Sequence, residues 1–148
     1  MSNSTSPPVV QSGLRYEDFQ VVEAHFKSDP AFKNEALTYT LNFTPSGRLS
    51  RAQGRFMLRL GIDITTNTGL FEANVQALGH FSFDPEGDPD LLDNLLTLNT
   101  VAIVFPYVRA YIGSLTALSG LPTVLAPTYN LISLAEPLRQ AIEEVEEV

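Results

Sequence analysis

Two histidines, His25 and His80, are the only side chains whose ordinary titration falls near neutral pH. Neither has a companion at i, i+4 or a comparable spacing, so no metal site is read from them. His80 shares an alternating phase with Glu72, and Asp63 lies in the polar phase of the segment before. A base with a carboxylate orienter is the chemistry these three could do; the pattern favours a solvated surface histidine. No cysteine is present, which excludes disulfides, thiolate nucleophiles and cysteine zinc sites. The stretch GRFMLRLG lacks the spacing and the lysine of a phosphate-binding loop, and no nucleophile elbow occurs. Glu143, Glu144, Glu146 and Glu147 form a charge run typical of a solvated helix end. The sequence reads as non-enzymatic, with no cofactor and no metal.

The elements that would carry these residues are legible from periodicity. Four segments alternate with period two. LRYEDFQVVEAHFK has a blurred phase, anchored by Phe19 and Val21 with Tyr16 and Phe26, which suggests a bulge. ALTYTLNF places Leu37, Tyr39, Leu41 and Phe43 on one face. TPSG after it reads as a type I turn. RFMLRLGIDIT puts Phe56, Leu58, Leu60, Ile62 and Ile64 opposite Arg59, Asp63 and Thr65. LFEANVQALGHFSF sets Phe71, Ala73, Val75, Ala77, Gly79 and Phe81 against Glu72, Asn74, Gln76 and His80. Short links predict an antiparallel meander with one buried and one solvated face.

DPEGDPD ends the strands, and Asp88 or Asp90 is placed to cap a short helix, PDLLDNLLTLN. Thr100 is read as the cap of a second helix, with Pro106 about two turns in and expected to kink it. Gly120 and Pro122 stop it. An apolar loop follows, then a C-terminal helix with Ser133 and Glu136 as a capping box and a Leu134, Leu138, Ile142, Val145 stripe. The fold class is α+β: a four-stranded antiparallel meander, a long kinked helical region and a C-terminal helix.

At 148 residues the chain fits one domain. Residues 1–12, rich in Ser, Asn and Pro, read as a disordered tail, 13–142 as the domain, and 143–148 as a fraying acidic end. The net charge of −8 argues against tracking nucleic-acid phosphates. No signal peptide or unbroken apolar span is visible, so direct membrane insertion is not expected and a cytoplasmic location is.

What remains unspent is apolar surface. From Ala102 to Leu131 the chain is apolar nearly all round, including Val104, Phe105, Tyr107, Tyr111, Leu121, Val124, Leu125 and Tyr129. A helix apolar on several sides is buried on several sides. A helix packed on its own sheet in a closed core would use one side. In so small a chain the other meets a partner, another subunit or a bound segment.

The stretch AIVFPYVRAYIGSLTALSGLPTVLAPTYNL resembles the signature of the SecB family of protein-export chaperones. Phe105, Pro106, Tyr107, Arg109, Ile112, Gly120, Pro122, Ala126 and Pro127 carry the likeness, and the order of elements fits from about Arg15 to Gln140. The resemblance implies a homotetramer, a dimer of dimers, that holds unfolded preproteins without ATP. Its apolar groove would use Phe105, Tyr107, Tyr111, Leu121, Val124, Leu125 and Tyr129. Its subunit contacts would use Ala73, Val75, Ala77, Ile112 and Leu115. An acidic outer sheet face docks the translocation motor SecA in that family; here Asp18, Glu72 and Asn74 stand in the corresponding phase, Asn74 where an acid is frequent. SecB-like proteins also serve as dedicated chaperones of toxin–antitoxin or phage systems, and that alternative is open. So is one of another class: a small α+β carrier of an apolar ligand, with Arg59, Asp63 and His80 turned into a closed cavity.

Overall fold

The computed structural model describes residues 13–33, 38–127 and 129–148. The expected N-terminal tail and Leu37 lie outside them. Strands β1 (Leu14–Ser28), β2 (Tyr39–Ser50), β3 (Arg55–Thr66) and β4 (Phe71–Phe83) precede helix α1 (Pro89–Leu118), helix α2 (Ala135–Gln140) and a short strand β5 (Ile142–Glu144). The fold is α+β, with a five-stranded mixed sheet in the order β1-β4-β3-β2-β5.

Strands β2, β3 and β4 form the expected meander, but β1 pairs with β4 rather than β2. The link from β1 to β2 is long enough to carry the chain past two strands, so sequence order was not spatial order. The blurred phase of β1 resolves as two register shifts, between Tyr16 and Asp18 and between Val21 and Glu23. They keep Tyr16, Phe19, Val21 and Ala24 packed against the core despite the broken alternation.

TPSG is not a turn. Pro45, Ser46 and Gly47 pair with Leu60, Arg59 and Leu58 inside β2. The Gly47 amide donates outward, to the Ala141 carbonyl, and Pro45, two residues earlier, points the same way. Its missing N–H is therefore lost from the outer edge and not from the β3 ladder. The turn falls instead at 51–54.

The two helices expected on either side of Asn99 are one helix of 30 residues. Asp88 caps it by accepting from the Asp90 amide. Thr100 is no cap: its hydroxyl donates to the Leu96 carbonyl within the helix, 2.6 Å away. Pro106 is tolerated in mid-helix. Both it and Ala102, whose carbonyl it leaves without a donor, face solvent. Gly120, at φ +76°, marks the end as expected.

The inner face of α1 buries Val101, Val104, Val108 and Ile112 against Leu58, Leu60, Ile62, Val75 and Ala77. Gly79 sets the closeness of approach: a Cβ there would meet Val104 Cγ2 at 2.4 Å. By length and composition α1 could cross a membrane; here its inner side belongs to the sheet.

The C-terminus departs from the sequence reading. Ser133 forms no capping box; its hydroxyl donates to the Asn130 carbonyl, and α2 has no side-chain cap. The helix stops at Gln140. Ile142–Glu144 then pair in parallel with Gly47–Leu49, so the acidic end is a strand at the sheet edge and not a fraying helix. Arg51 supplies what the helix reading missed, a cation that bonds both Glu144 and Asp93. These bonds hold Arg51 above its ordinary pKa, the one to Glu144 contributing most.

Candidate functional site

Helix α1 crosses the apolar face of the sheet and leaves an aromatic cluster on each flank. On the β1 side, Tyr107 stacks on Tyr16 (centroids 5.6 Å) and on Phe19 (5.4 Å), and Tyr16 meets Phe81 edge-on. On the β2 side, Phe43 contacts Phe105 (5.7 Å) and Tyr129 (4.9 Å). Phe105 and Tyr107 are two residues apart, which sends them to different sides of the helix.

Exposure separates the core from the available surface. Tyr107 is 46% exposed, Tyr129 44% and Leu125 48%. Rigid rings and a leucine left this open offer contact area at little cost in rotamer entropy. Burial, and after it the neighbouring Tyr107 and Asp18, pushes the Tyr16 hydroxyl above its ordinary pKa of 10.0. Burial does the same to Tyr39.

The loop after α1 is held in place by the helix it leaves. Arg109 Nε donates to the Ala126 carbonyl at 2.5 Å. Thr116 Oγ1 donates to the Ile112 carbonyl and accepts from the Val124 amide, both at 2.9 Å. Gly113 makes room, since a Cβ there would lie 2.9 Å from Leu125 Cδ2. Val124 and Ala126 thus turn into the core while Leu125, between them, turns out. Alternation in an extended segment produces that split.

The residues expected to form the groove therefore divide. Tyr107, Leu125 and Tyr129 are exposed, Tyr111 and Leu121 are half-buried, and Phe105 and Val124 are core. Tyr16, Phe19 and Phe43 were missed as site residues. Their signal was an aromatic on each strand lying outside the width that one helix covers. Of the expected subunit contacts, Ala73, Val75, Ala77 and Ile112 are corrected, being buried within this chain, while Leu115 is half-buried and keeps part of its surface. The small side chains of β4 receive α1 itself. The outer side of α1 is what stays open: Leu98, Ala102, Pro106, Ala110, Ser114 and Leu118, every fourth residue, are exposed.

The polar sheet face carries Asp18, Glu72 and Asn74 as expected, but not as one patch. Asp18 lies opposite His80, eight residues along β4 from Glu72, or about 26 Å at the usual strand rise. Asn74 donates to Asp63 at 2.6 Å, and His80 lies 3.7 Å from Asp18. The charges on this face nearly balance: Arg15, Lys27, Arg48, Arg55 and Arg59 against Glu17, Asp18, Glu23, Asp63, Glu72 and Glu143, the last paired with Arg48 across β2 and β5. Arg59, Asp63 and His80 all sit here, so none of them lines a closed apolar cavity.

A long helix laid across a mixed, mostly antiparallel sheet, with aromatic clusters on both flanks, makes a SecB-like fold. The chain aligns over 79% of its length, and 91% of the other, with Rv1957, a SecB-like chaperone of Mycobacterium tuberculosis, at a TM-score of 0.67 and 21% identity. That chaperone was solved in complex with a ChAD peptide from the HigA1 antitoxin, Rv1956. A protein of unknown function from Streptococcus agalactiae aligns over 78% of this chain and 97% of its own, at 0.41 and 12% identity. A 71-residue stretch, 48% of this chain, is 34% identical to an uncharacterised protein of Methanocaldococcus jannaschii. The match spans 45% of that protein. No family model matches the chain.

Proposed function

We propose that this protein is a SecB-like chaperone that holds unfolded segments of a client on the aromatic surfaces flanking α1. The observation that carries this reading is the exposure of Tyr107, Tyr129 and Leu125 beside a complete core. Holding needs neither ATP nor a catalytic residue. Each Å² of apolar surface removed from water contributes about 25 cal/mol, and ordering the client offsets much of it. Firm holding therefore takes several engaged segments, which a homotetramer supplies by effective concentration. The exposed row from Leu98 to Leu118 is the surface through which subunits would pair.

A dedicated client, of the antitoxin kind, is the favoured reading over general export through SecA. Rv1957 is described with an antitoxin peptide, and the polar sheet face here, with acids and bases nearly balanced, has little net acidic character to draw a basic docking module. A cytoplasmic location follows from either role.

The test is suppression of aggregation of a chemically unfolded protein without ATP. Wild type should suppress it, and Tyr107→Ser and Leu125→Ser should lose much of the effect with unchanged circular dichroism. Wild type that leaves aggregation untouched would refute the reading.

A further inference from the structure

We infer that the open face of α1 pairs with the same face of a second copy in one antiparallel register, centred on Val108, in which the Ser114 hydroxyl of each copy donates to the Ala102 carbonyl of the other. The inference rests on the assembly proposed above and gives it a register.

The charge pattern makes a second copy the occupant. The chain carries a net charge of −8, so two copies repel over most of their surface. From Asn94 to Leu118 the one charged side chain of α1 is Arg109, and it is spent on the Ala126 carbonyl. Of an 18-residue apolar stretch of α1, only 39% is buried in this chain. The outer side is thus uncharged, apolar and without cover of its own.

The exposed row reads alike from both ends. About Val108, Leu98 mirrors Leu118, Ala102 mirrors Ser114 and Pro106 mirrors Ala110. A two-fold axis at that point sets the row against its own reverse, as an isologous contact requires. Rows at i, i+4 align when two helices cross at about 50°. Pro106 and Ala110, nearest the axis, are short enough for close approach.

Hydrogen bonding selects the register. Pro106 has no N–H to donate to the Ala102 carbonyl, and among the described residues no side chain donates to it. Thr97, Thr100 and Thr116 each bond back to a carbonyl of the preceding turn. Ser114, on the same helix, makes no side-chain bond among the described residues. Water serves both groups in the single chain. A helix contact strips that water, and a register that leaves the carbonyl bare is penalised. Carbonyls point to the C-terminal end of a helix, and side chains lean to its N-terminal end. In the antiparallel register the Ala102 carbonyl and the other copy's Ser114 therefore lean toward each other, twice per contact.

The chain has no cysteine, so engineered ones report alone. Ala102→Cys and Ser114→Cys are refolded separately and as an equal mixture, then oxidised. The mixture should cross-link in one-to-one pairs. Neither variant alone should, because like positions lie about 18 Å apart along the helices, beyond disulfide reach. In sedimentation, Ser114→Ala should associate several-fold more weakly than wild type. It should cost nothing further once Pro106→Ala returns an N–H to the Ala102 carbonyl. Self-cross-linking of either single variant as strongly as the mixture would overturn the register, as would an equal loss from Ser114→Ala in both backgrounds. Absence of cross-links from every sample would overturn it whether wild type is assembled or monomeric. Suppression of aggregation, measured on the same samples, keeps the chaperone reading separate: its absence from a protein cross-linked as expected would refute that reading and leave the register standing.

Discussion

Single side chains on the flanks of α1 mark the difference between core and working surface. Tyr16 is the most constrained of them, stacked on Tyr107, edge-on to Phe81 and held neutral above its ordinary pKa of 10.0 by burial first and its neighbours second. A raised folded pKa contributes stability that is whole below the unfolded value and lost as pH rises through the folded one. The urea midpoint should therefore fall as pH climbs past 10.0, and Tyr16→Phe should flatten that fall. Tyr39, raised by burial alone, should leave a smaller residual slope. An equal alkaline fall in the variant would remove the aromatic cluster as the cause. At Gly79 the constraint is space. The added methyl of Gly79→Ala would meet the stiff, buried Val104 at 2.4 Å. It should cost about 1–3 kcal/mol in denaturant unfolding, the usual range for overpacking. A neutral result would mean that α1 lifts from the sheet without penalty.

Elements were legible in proportion to how local their cause is. The alternating faces of β2, β3 and β4, the Asp88 cap and the end of α1 at Gly120 follow from neighbouring residues, and the sequence reading found them. The placing of β1 beside β4 was not legible, because it depends on where a ten-residue link leads. Thr100 and Pro45 misled for one reason: each is a good boundary residue that a solvent-facing or back-bonding geometry can absorb inside an element. The acidic C-terminus misled because its partner, Arg51, is 93 residues away in sequence. For the candidate site, residue types were readable but exposure was not. Nothing in TVLAPTYN says that Val124 turns in and Leu125 out; the anchors Arg109 and Thr116 decide it. Those anchors can be tested separately. Thr116→Val keeps the shape but leaves the Val124 amide buried and unpaired, which should cost about 1–3 kcal/mol. Arg109→Ala should free the loop at Ala126 and weaken client holding more than it weakens the fold. If both variants lost only stability, in equal measure, the loop would be core and not a presenting element.

The whole molecule presents surfaces of three characters: two aromatic flanks, an open row along α1, and a nearly charge-balanced sheet face. Most of the excess negative charge lies elsewhere, in the run from Asp84 to Asp93 and in Glu144, Glu146 and Glu147; Arg51 draws Asp93 and Glu144 together. That distribution bears on partners. Steering of a basic module depends on net potential over a patch, and six acids interleaved with five bases supply little of it. Binding of purified SecA is therefore expected to be weak or absent, and Asp18→Lys or Glu72→Lys should change it little. The proposed assembly would run through the α1 row, where Ala102→Asp and Ala110→Asp would bury a charge in any helix-to-helix contact. Light scattering should give a mass near four chains for wild type and a smaller one for these variants, while Asp18→Lys and Glu72→Lys stay wild type. Since both alanines are solvent-exposed in the single chain, the fold should survive in either variant. Firm SecA binding that Asp18→Lys and Glu72→Lys abolish, with client holding retained, would reverse the preference and assign the protein to export. Wild type that scatters as a monomer would reject the assembly and leave each chain to hold its client with only its own two flanks.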